Sequence, residues 1–245
     1  MIDWKNQNIL KINNEIDCFK NDEVDEEKVK NLRGKIEPWL TAIFQSEHFS
    51  LLTGTGLTMG LTHLANVTSQ GMDRIDFSIF KDEIKNWSDE SAKELGRGNA
   101  NIEDDFRSSL ELLQGFKIQK HADTDKLLQE INSKLDDFIR NIIKTEKGFL
   151  DSDKHNEVSG LLKSFLISFA SRTATRERTN IFTTNYDRFL ELGLDNAGIL
   201  TIDRFIGKIK PKFRSTKLDL DYHYNPPGIR GEPRYVEGVV KFTKL

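Results

Sequence analysis

Apolar residues follow two rhythms along this chain. Over most of its length they recur every three or four positions, the spacing that lines one face of an α-helix. At four places they collapse into short β-favouring runs. Trp4, Ile9, Ile12, Ile16 and Phe19 predict an amphipathic helix over residues 3–20, and residues 26–46 predict a second, with Pro38 as a kink or break. The charge run at 21–30 between them reads as a solvated turn and helix start. Residues 49–53 form the first predicted strand, followed by a glycine turn and a helix over about 57–67. From 76 to 172 the helical rhythm is almost unbroken. It is clearest at Leu127, Leu128, Ile131, Leu135, Phe138, Ile139, Ile142 and Ile143, and again at Val158, Leu161, Leu162, Phe165, Leu166 and Phe169. A strand at 181–184 then leads into a helix over 186–196, closed by Asn196-Ala197-Gly198, a helix-ending composition. Residues 199–202 read as another strand. Residues 207–235 hold four of the five prolines and read as an irregular excursion before a final strand at 236–245. That strand is still in progress at Leu245, so the chain is expected to be a piece of a longer protein.

This alternation predicts an α/β fold with a Rossmann-like parallel sheet and a large helical insert at about 76–172. The sheet domain spans 47–245, and a helical segment at 1–46 precedes it, its apolar stripe suited to oligomer or partner contact. A chain of 245 residues accommodates one large domain or a domain with a sizeable insert, and no internal repeat is visible. Hydrophobic residues make up 37% and charged residues 31%, enough for a core in a helix-rich chain. A formal charge of −3 excludes a whole-chain electrostatic nucleic-acid binder. The single cysteine, Cys18, excludes a disulfide or a four-cysteine zinc site within the chain and fits a reducing compartment. The N-terminus shows no apolar signal core, and no run approaches the roughly 18 apolar residues of a membrane span. A cytoplasmic protein without membrane contact is therefore expected.

Two strand-to-helix junctions carry the candidate chemistry. In open α/β sheets that edge is where ligands bind. At the first, Gly54-Thr55-Gly56 would let backbone N–H groups approach a phosphate at a helix N-terminus, with Thr55 and Thr58 as hydroxyl donors. A tight turn without a ligand would favour the same glycines, and Gly60 is one residue out of register with the dinucleotide fingerprint. At the second, Asn185 and Asp187 sit where a strand ends and a helix begins. Thr184 and Asp187 also fit the spacing of a helix capping box, and Asn185 is itself a good cap, so a site and a cap are both open readings.

Phe182-Thr183-Thr184-Asn185-Tyr186-Asp187 resembles the T-x-N-Y-D signature of sirtuin-like domains in bacterial anti-phage proteins. Leu52-Thr53-Gly54-Thr55-Gly56-Leu57-Thr58 is similar to that family's G-A-G-x-S phosphate loop, with Thr55 for alanine and Thr58 for serine. Asn101-Ile102-Glu103-Asp104-Asp105 resembles an N-I-E-D element in the helical part of these domains. The resemblance covers roughly residues 45–245 and implies an NAD⁺ site on a sirtuin-type sheet. By it, Gly54, Thr55, Gly56 and Thr58 would cradle the pyrophosphate. Asn185, the catalytic residue, would bind the nicotinamide ribose or position the attacking water. Thr184 belongs to the same cofactor-binding set, and Asp187 would contact ribose or organise the loop. The implied activity is hydrolysis of NAD⁺ to nicotinamide and ADP-ribose, an NADase that depletes NAD⁺ during abortive infection. Homo-oligomerisation and a HerA-type ATPase translocase partner come with the resemblance.

Two departures from the family pattern matter. Its catalytic histidine commonly lies in a K-L-H-G segment, and this chain stops at Lys244-Leu245, so that histidine is expected to follow in the parent protein. Among the five histidines present, His48, His63, His121 and His155 are poor replacements and His223 is the best outsider. The four-cysteine zinc module of protein-deacylating sirtuins is also beyond a chain with one cysteine, which argues against a deacylase. Arg204, Lys208, Lys210, Lys212, Arg214 and Lys217 form a basic run across 204–217, interleaved with Phe205, Pro211 and Phe213. Such a run serves a solvated loop, a cofactor phosphate, an acidic partner or a nucleic-acid strand. The competing functions are a non-catalytic NAD⁺ or ADP-ribose scaffold or sensor, and a nuclease-type module using Glu103, Asp104 and Asp105. Those three acids are consecutive, so a helix would point them in different directions.

Overall fold

A computed structural model describes residues 8–12, 14–19, 25–69, 71–171, 177–207, 209–213, 221–224 and 234–245. The elements in chain order are β1 (Asn8–Ile12), β2 (Glu15–Phe19), α1 (Glu26–Phe44), β3 (Ser50–Thr53), α2 (Thr55–Leu64), α3 (Lys81–Glu94), α4 (Ile102–Gln119) and α5 (Thr124–Leu150). They continue with α6 (His155–Ala170), β4 (Asn180–Thr183), α7 (Phe189–Asn196), β5 (Leu200–Ile202), β6 (Phe205–Ile206), β7 (Lys212–Phe213), β8 (His223–Tyr224), β9 (Arg234–Tyr235) and β10 (Val239–Lys244). The chain divides into two compact units. One holds residues 1–53, 164–183 and 194–245, the other residues 54–163 and 184–193. No helix among the described residues is long and apolar enough to cross a membrane.

The first unit is organised by a four-stranded sheet in the order β3-β4-β10-β5, with every neighbouring pair parallel. The architecture is thus mixed α/β with a parallel sheet, compatible with a Rossmann-like fold. The inner strands β4 and β10 bury Ile181, Thr183, Val239 and Val240, as β-branched runs in a parallel sheet do. Phe44 at the end of α1, Phe49 and Phe169 form a three-ring cluster beside the entry to β3, with centroids 5.2 to 5.6 Å apart. Among its described residues the irregular excursion contributes β7, which pairs with β6 just before it, and the short antiparallel pair β8-β9. Arg178, buried just before β4, holds it through Asp221 and the ring of Tyr235. Lys208, Arg214 and Lys217 of the basic run lie outside the described residues.

The N-terminal helix expected over residues 3–20 is not what forms. Asn8–Ile12 and Glu15–Phe19 pair as antiparallel strands, with Ile12 opposite Glu15. Ile9, Ile12 and Ile16 fit a helical period, but their β-branched side chains suit paired strands as well. Trp4 and the side chain of Phe19 lie outside the described residues. The second predicted helix is present as α1, which runs through Pro38.

The second unit is built on α3, α4 and α5; α6 begins in it, and residues 164–170 of that helix belong to the first unit. The core of the second unit contains Phe77, Ile84, Leu113, Leu127 and Ile131. Residues 71–80, between α2 and α3, are not helical but are fixed by carboxylates from the helices. Arg74 makes a forked contact to the buried Asp105, whose carboxylate also accepts the N–H of Ile75 at 2.9 Å. Glu130 of α5 accepts the N–H groups of Ser78 and Ile79. The Ile102 N–H reaches the Met72 carbonyl at 3.3 Å.

At the head of α4, Asn101 and Asp104 cap the helix reciprocally. Asp104 is buried and also binds Arg97 and Arg107. Burial pushes its carboxyl up, but the Asn101 N–H and the two arginines outweigh this and hold its pKa below the usual value. A carboxyl depressed on folding contributes stability above its unfolded value near pH 4, lost as pH falls through the folded value. Chemical denaturation of the wild type is therefore expected to show a steep acid limb below about pH 4. In Asp104→Asn, comparison of denaturation midpoints across that range should show a shallower limb; an unchanged slope would contradict this assignment.

Candidate functional site

Thr53 pairs with Thr183 at the same end of the parallel strands β3 and β4. The chain leaves both strands there, into Gly54 and Thr184. Beyond these points two segments distant in sequence come together. Thr58, buried in the first turns of α2, donates its hydroxyl to Asp187 Oδ2 at 2.5 Å and accepts the Asn185 amide N–H at 3.0 Å. Asp187 Oδ1 in turn accepts the N–H of Phe189, the first residue of α7, at 3.2 Å. Asn185 is 5% exposed. One hydroxyl thus fixes both an amide and a carboxylate, and the carboxylate starts a helix. Thr58 is already committed as a donor, so its geometry suits positioning Asn185 and Asp187 rather than holding a phosphate directly. Asp187 satisfies α7 two residues on, in place of the reciprocal Thr184–Asp187 box considered from the sequence.

These groups face a cavity of about 320 Å³, lined by Thr55, Thr58, Asn185 and Asp187 with Met59, Gly71, Met72, Asp73, Phe138, Ile142, Thr145 and Tyr186. That volume is at the small end of ligand pockets, roughly 300–1,000 Å³. Of the seven site residues expected from the sequence, four line it. Gly54, Gly56 and Thr184 do not, though a side chain on Gly54 would meet Thr184 Oγ1 at 3.5 Å, an ordinary contact. Gly54 is extended, and nothing lies within 4 Å of a side chain placed on Gly56. Neither backbone strain nor crowding accounts for these glycines. The Gly54 cap makes no side-chain hydrogen bond to the α2 N-terminus, which leaves the first-turn N–H groups to other acceptors.

The junction is held rigid from behind. Glu146 of α5, 8% exposed, accepts the Arg188 N–H at 2.8 Å and takes its guanidinium at 2.5 Å. Phe149 packs on Phe189 with centroids 4.9 Å apart. Tyr186 projects between this cavity and a second of about 440 Å³, which it and Phe138 also line, along with Ile102, Phe106, Arg107 and Leu110. Its ring meets Phe138 edge-on and its hydroxyl donates to Glu103 Oε1 at 2.9 Å. Burial and then the Glu103 carboxylate push the Tyr186 phenol up to about 12. A phenol raised on folding contributes stability below its unfolded value near pH 10 and loses it as pH rises towards 12. In a spectrophotometric titration of the four tyrosines, one is expected to ionise last, and Tyr186→Phe to remove that late phase. A late phase that survives the substitution would reassign it.

None of the five histidines lines the cavity. His48 pairs with Glu177, His121 stacks on Phe116, His155 meets the Phe149 edge, and His63 and His223 are exposed. The acids considered as metal ligands are otherwise engaged: Asp104 with Arg97 and Arg107, Asp105 with Arg74, and Glu103 with Tyr186. No group of three ligand-type side chains among the described residues is placed to hold a metal. The sequence reading missed Gly71, Met72 and Asp73, because their position depends on Arg74 reaching a helix far along the chain. Tyr186 had a visible signal, standing between Asn185 and Asp187. No family model matches the chain, and no curated protein matches it.

Proposed function

We propose that the chain is the NAD⁺-binding part of an NAD⁺ hydrolase that releases nicotinamide and ADP-ribose, an effector of NAD⁺ depletion in anti-phage defence. The supporting observation is the Asn185–Thr58–Asp187 cluster, in which residues from both strand-to-helix junctions meet on one cavity wall. A buried, oriented amide beside a carboxylate suits a ribose ring and the positive charge that develops when its N-glycosidic bond breaks. Such chemistry depends mainly on positioning and fixed electrostatics. The first-turn N–H groups at Thr55 and Gly56 would meet the pyrophosphate. The sirtuin resemblance supplies the substrate, a homo-oligomer and an ATPase partner. A second reading, binding of NAD⁺ or ADP-ribose without turnover, is favoured by the mutual commitment of Thr58 and Asp187, a pattern that serves a rigid binding wall equally well.

The test is nicotinamide release from NAD⁺ by the longest native form, alone and with any partner encoded beside it. Release supports the hydrolase. Binding of NAD⁺ or ADP-ribose with no release under either condition selects the scaffold or sensor.

A further inference from the structure

We propose that Asp73 is a substrate-selecting residue that makes the cavity prefer a dinucleotide with a positively charged nicotinamide ring. This rests on the NAD⁺ reading above and adds to it a residue and a criterion of choice. Among the described residues, the cavity wall contains two carboxylates, Asp73 and Asp187, and no lysine, arginine or histidine. Such carboxylates attract a cation, while the first-turn N–H groups of α2 are left to the pyrophosphate. NAD⁺ offers one: its pyridinium ring is positive, whereas the dihydropyridine of NADH is neutral. The positive charge also stays at that end when the glycosidic bond breaks, because the bonding pair goes to the ring nitrogen and the charge passes to the ribose.

The two carboxylates differ in availability. Asp187 is bound by the Thr58 hydroxyl and the Phe189 N–H. No hydrogen bond or ion pair among the described residues engages the Asp73 carboxylate. Its neighbour Arg74 turns the other way, into Asp105 and Asp89. Backbone bonds at Met72 and Ile75 fix the loop on either side of Asp73. Gly71, also in the wall, leaves room for it, since a side chain there would come within 3.1 Å of Asp73 Oδ2. The loop thus holds an available carboxylate at the cavity while its counter-charge is spent elsewhere.

The experiment measures binding of three probes to the full chain, wild type and Asp73→Asn. The probes are carba-NAD⁺ (cationic and resistant to hydrolysis), NADH (neutral ring) and ADP-ribose (no ring). The wild type is expected to bind carba-NAD⁺ more tightly than NADH. Asp73→Asn should weaken carba-NAD⁺ by about threefold to fivefold, the size of a solvent-exposed ion pair, and leave the other two nearly unchanged. Asp73→Glu should restore the preference. The melting temperature should not move, because no internal ion pair is lost. Equal wild-type affinity for carba-NAD⁺ and NADH, or an equal loss for all three probes in the variant, would overturn the role of Asp73 while leaving the NAD⁺ site standing. Failure of all three probes to bind the wild type would overturn both.

Discussion

Asn185→Ala is expected to lower nicotinamide release from NAD⁺ by about 10²–10³-fold, the usual effect of removing one oriented polar group from a preorganised site. The amide is buried and fixed by Thr58, so its orientation is set before any substrate arrives. Alanine deletes the group without disturbing the Thr58–Asp187 bond, which still starts α7. The loss of one hydrogen bond should lower stability by about 1 kcal/mol, a shift of roughly 2–4 °C in melting temperature for a chain of this size. Turnover and melting therefore separate the two effects. Lost turnover with a small melting shift supports a role for Asn185 in the reaction. Undiminished turnover would remove Asn185 from the site, and a wild type that releases nothing would remove the hydrolase reading. Thr58→Val, which keeps the shape and deletes the bridging hydroxyl, should also reduce turnover, because Asn185 and Asp187 would no longer share a partner.

Arg74→Met is expected to be the most destabilising single change near the site, at about 3–5 kcal/mol, because it leaves the Asp105 carboxylate buried without its cation. Asp105 is 1% exposed, and its remaining described partner is the N–H of Ile75. For a chain of this length the loss corresponds to a fall of roughly 6–20 °C in melting temperature. The double variant Arg74→Met/Asp105→Leu should recover much of it, since replacing both members of a buried pair with apolar residues is often neutral. A melting temperature for Arg74→Met within about 2 °C of the wild type would mean that the pair contributes little, as surface pairs do. The variant has a second readout, because the same contact positions Met72 and Asp73. Probe binding should weaken at temperatures where the fold persists.

The strands and junctions were legible because they depend on local pattern. The 181–184 and 236–245 runs are apolar and β-branched where a buried parallel strand needs them, and the helical insert declares its period over many turns. Asn185, Asp187 and Thr58 could be named because a strand end followed by a helix start places a side chain whatever its distant neighbours are. The N-terminal strand pair departs from the helical expectation because Ile9, Ile12 and Ile16 satisfy the helical spacing while their β-branched side chains serve a strand equally well. Met72, Asp73 and the Glu146 clamp were illegible for another reason. Their roles come from pairings such as Arg74 with Asp105 and Arg188 with Glu146, between residues whose separation in sequence follows no period. The glycines taught the reverse lesson. Gly54 and Gly56 matched a phosphate loop by sequence, and the structure shows that turn geometry does not require them.

The strand order β3-β4-β10-β5 has a consequence for the chain as it emerges from the ribosome. β10 sits between β4 and β5, yet it is made after both and after the whole proline-containing excursion. Until it arrives, β4 has one neighbour and one bare edge of N–H and C=O groups, and β5 has none in the sheet. The helices α3, α4 and α5 make mostly near-neighbour contacts and need no such wait. Synthesis thus passes through an interval in which the helical unit can be complete while the sheet displays an unpaired, apolar strand edge. That interval is when the nascent chain is most exposed to mispairing, and a chaperone or a second nascent copy would meet the β4 edge first.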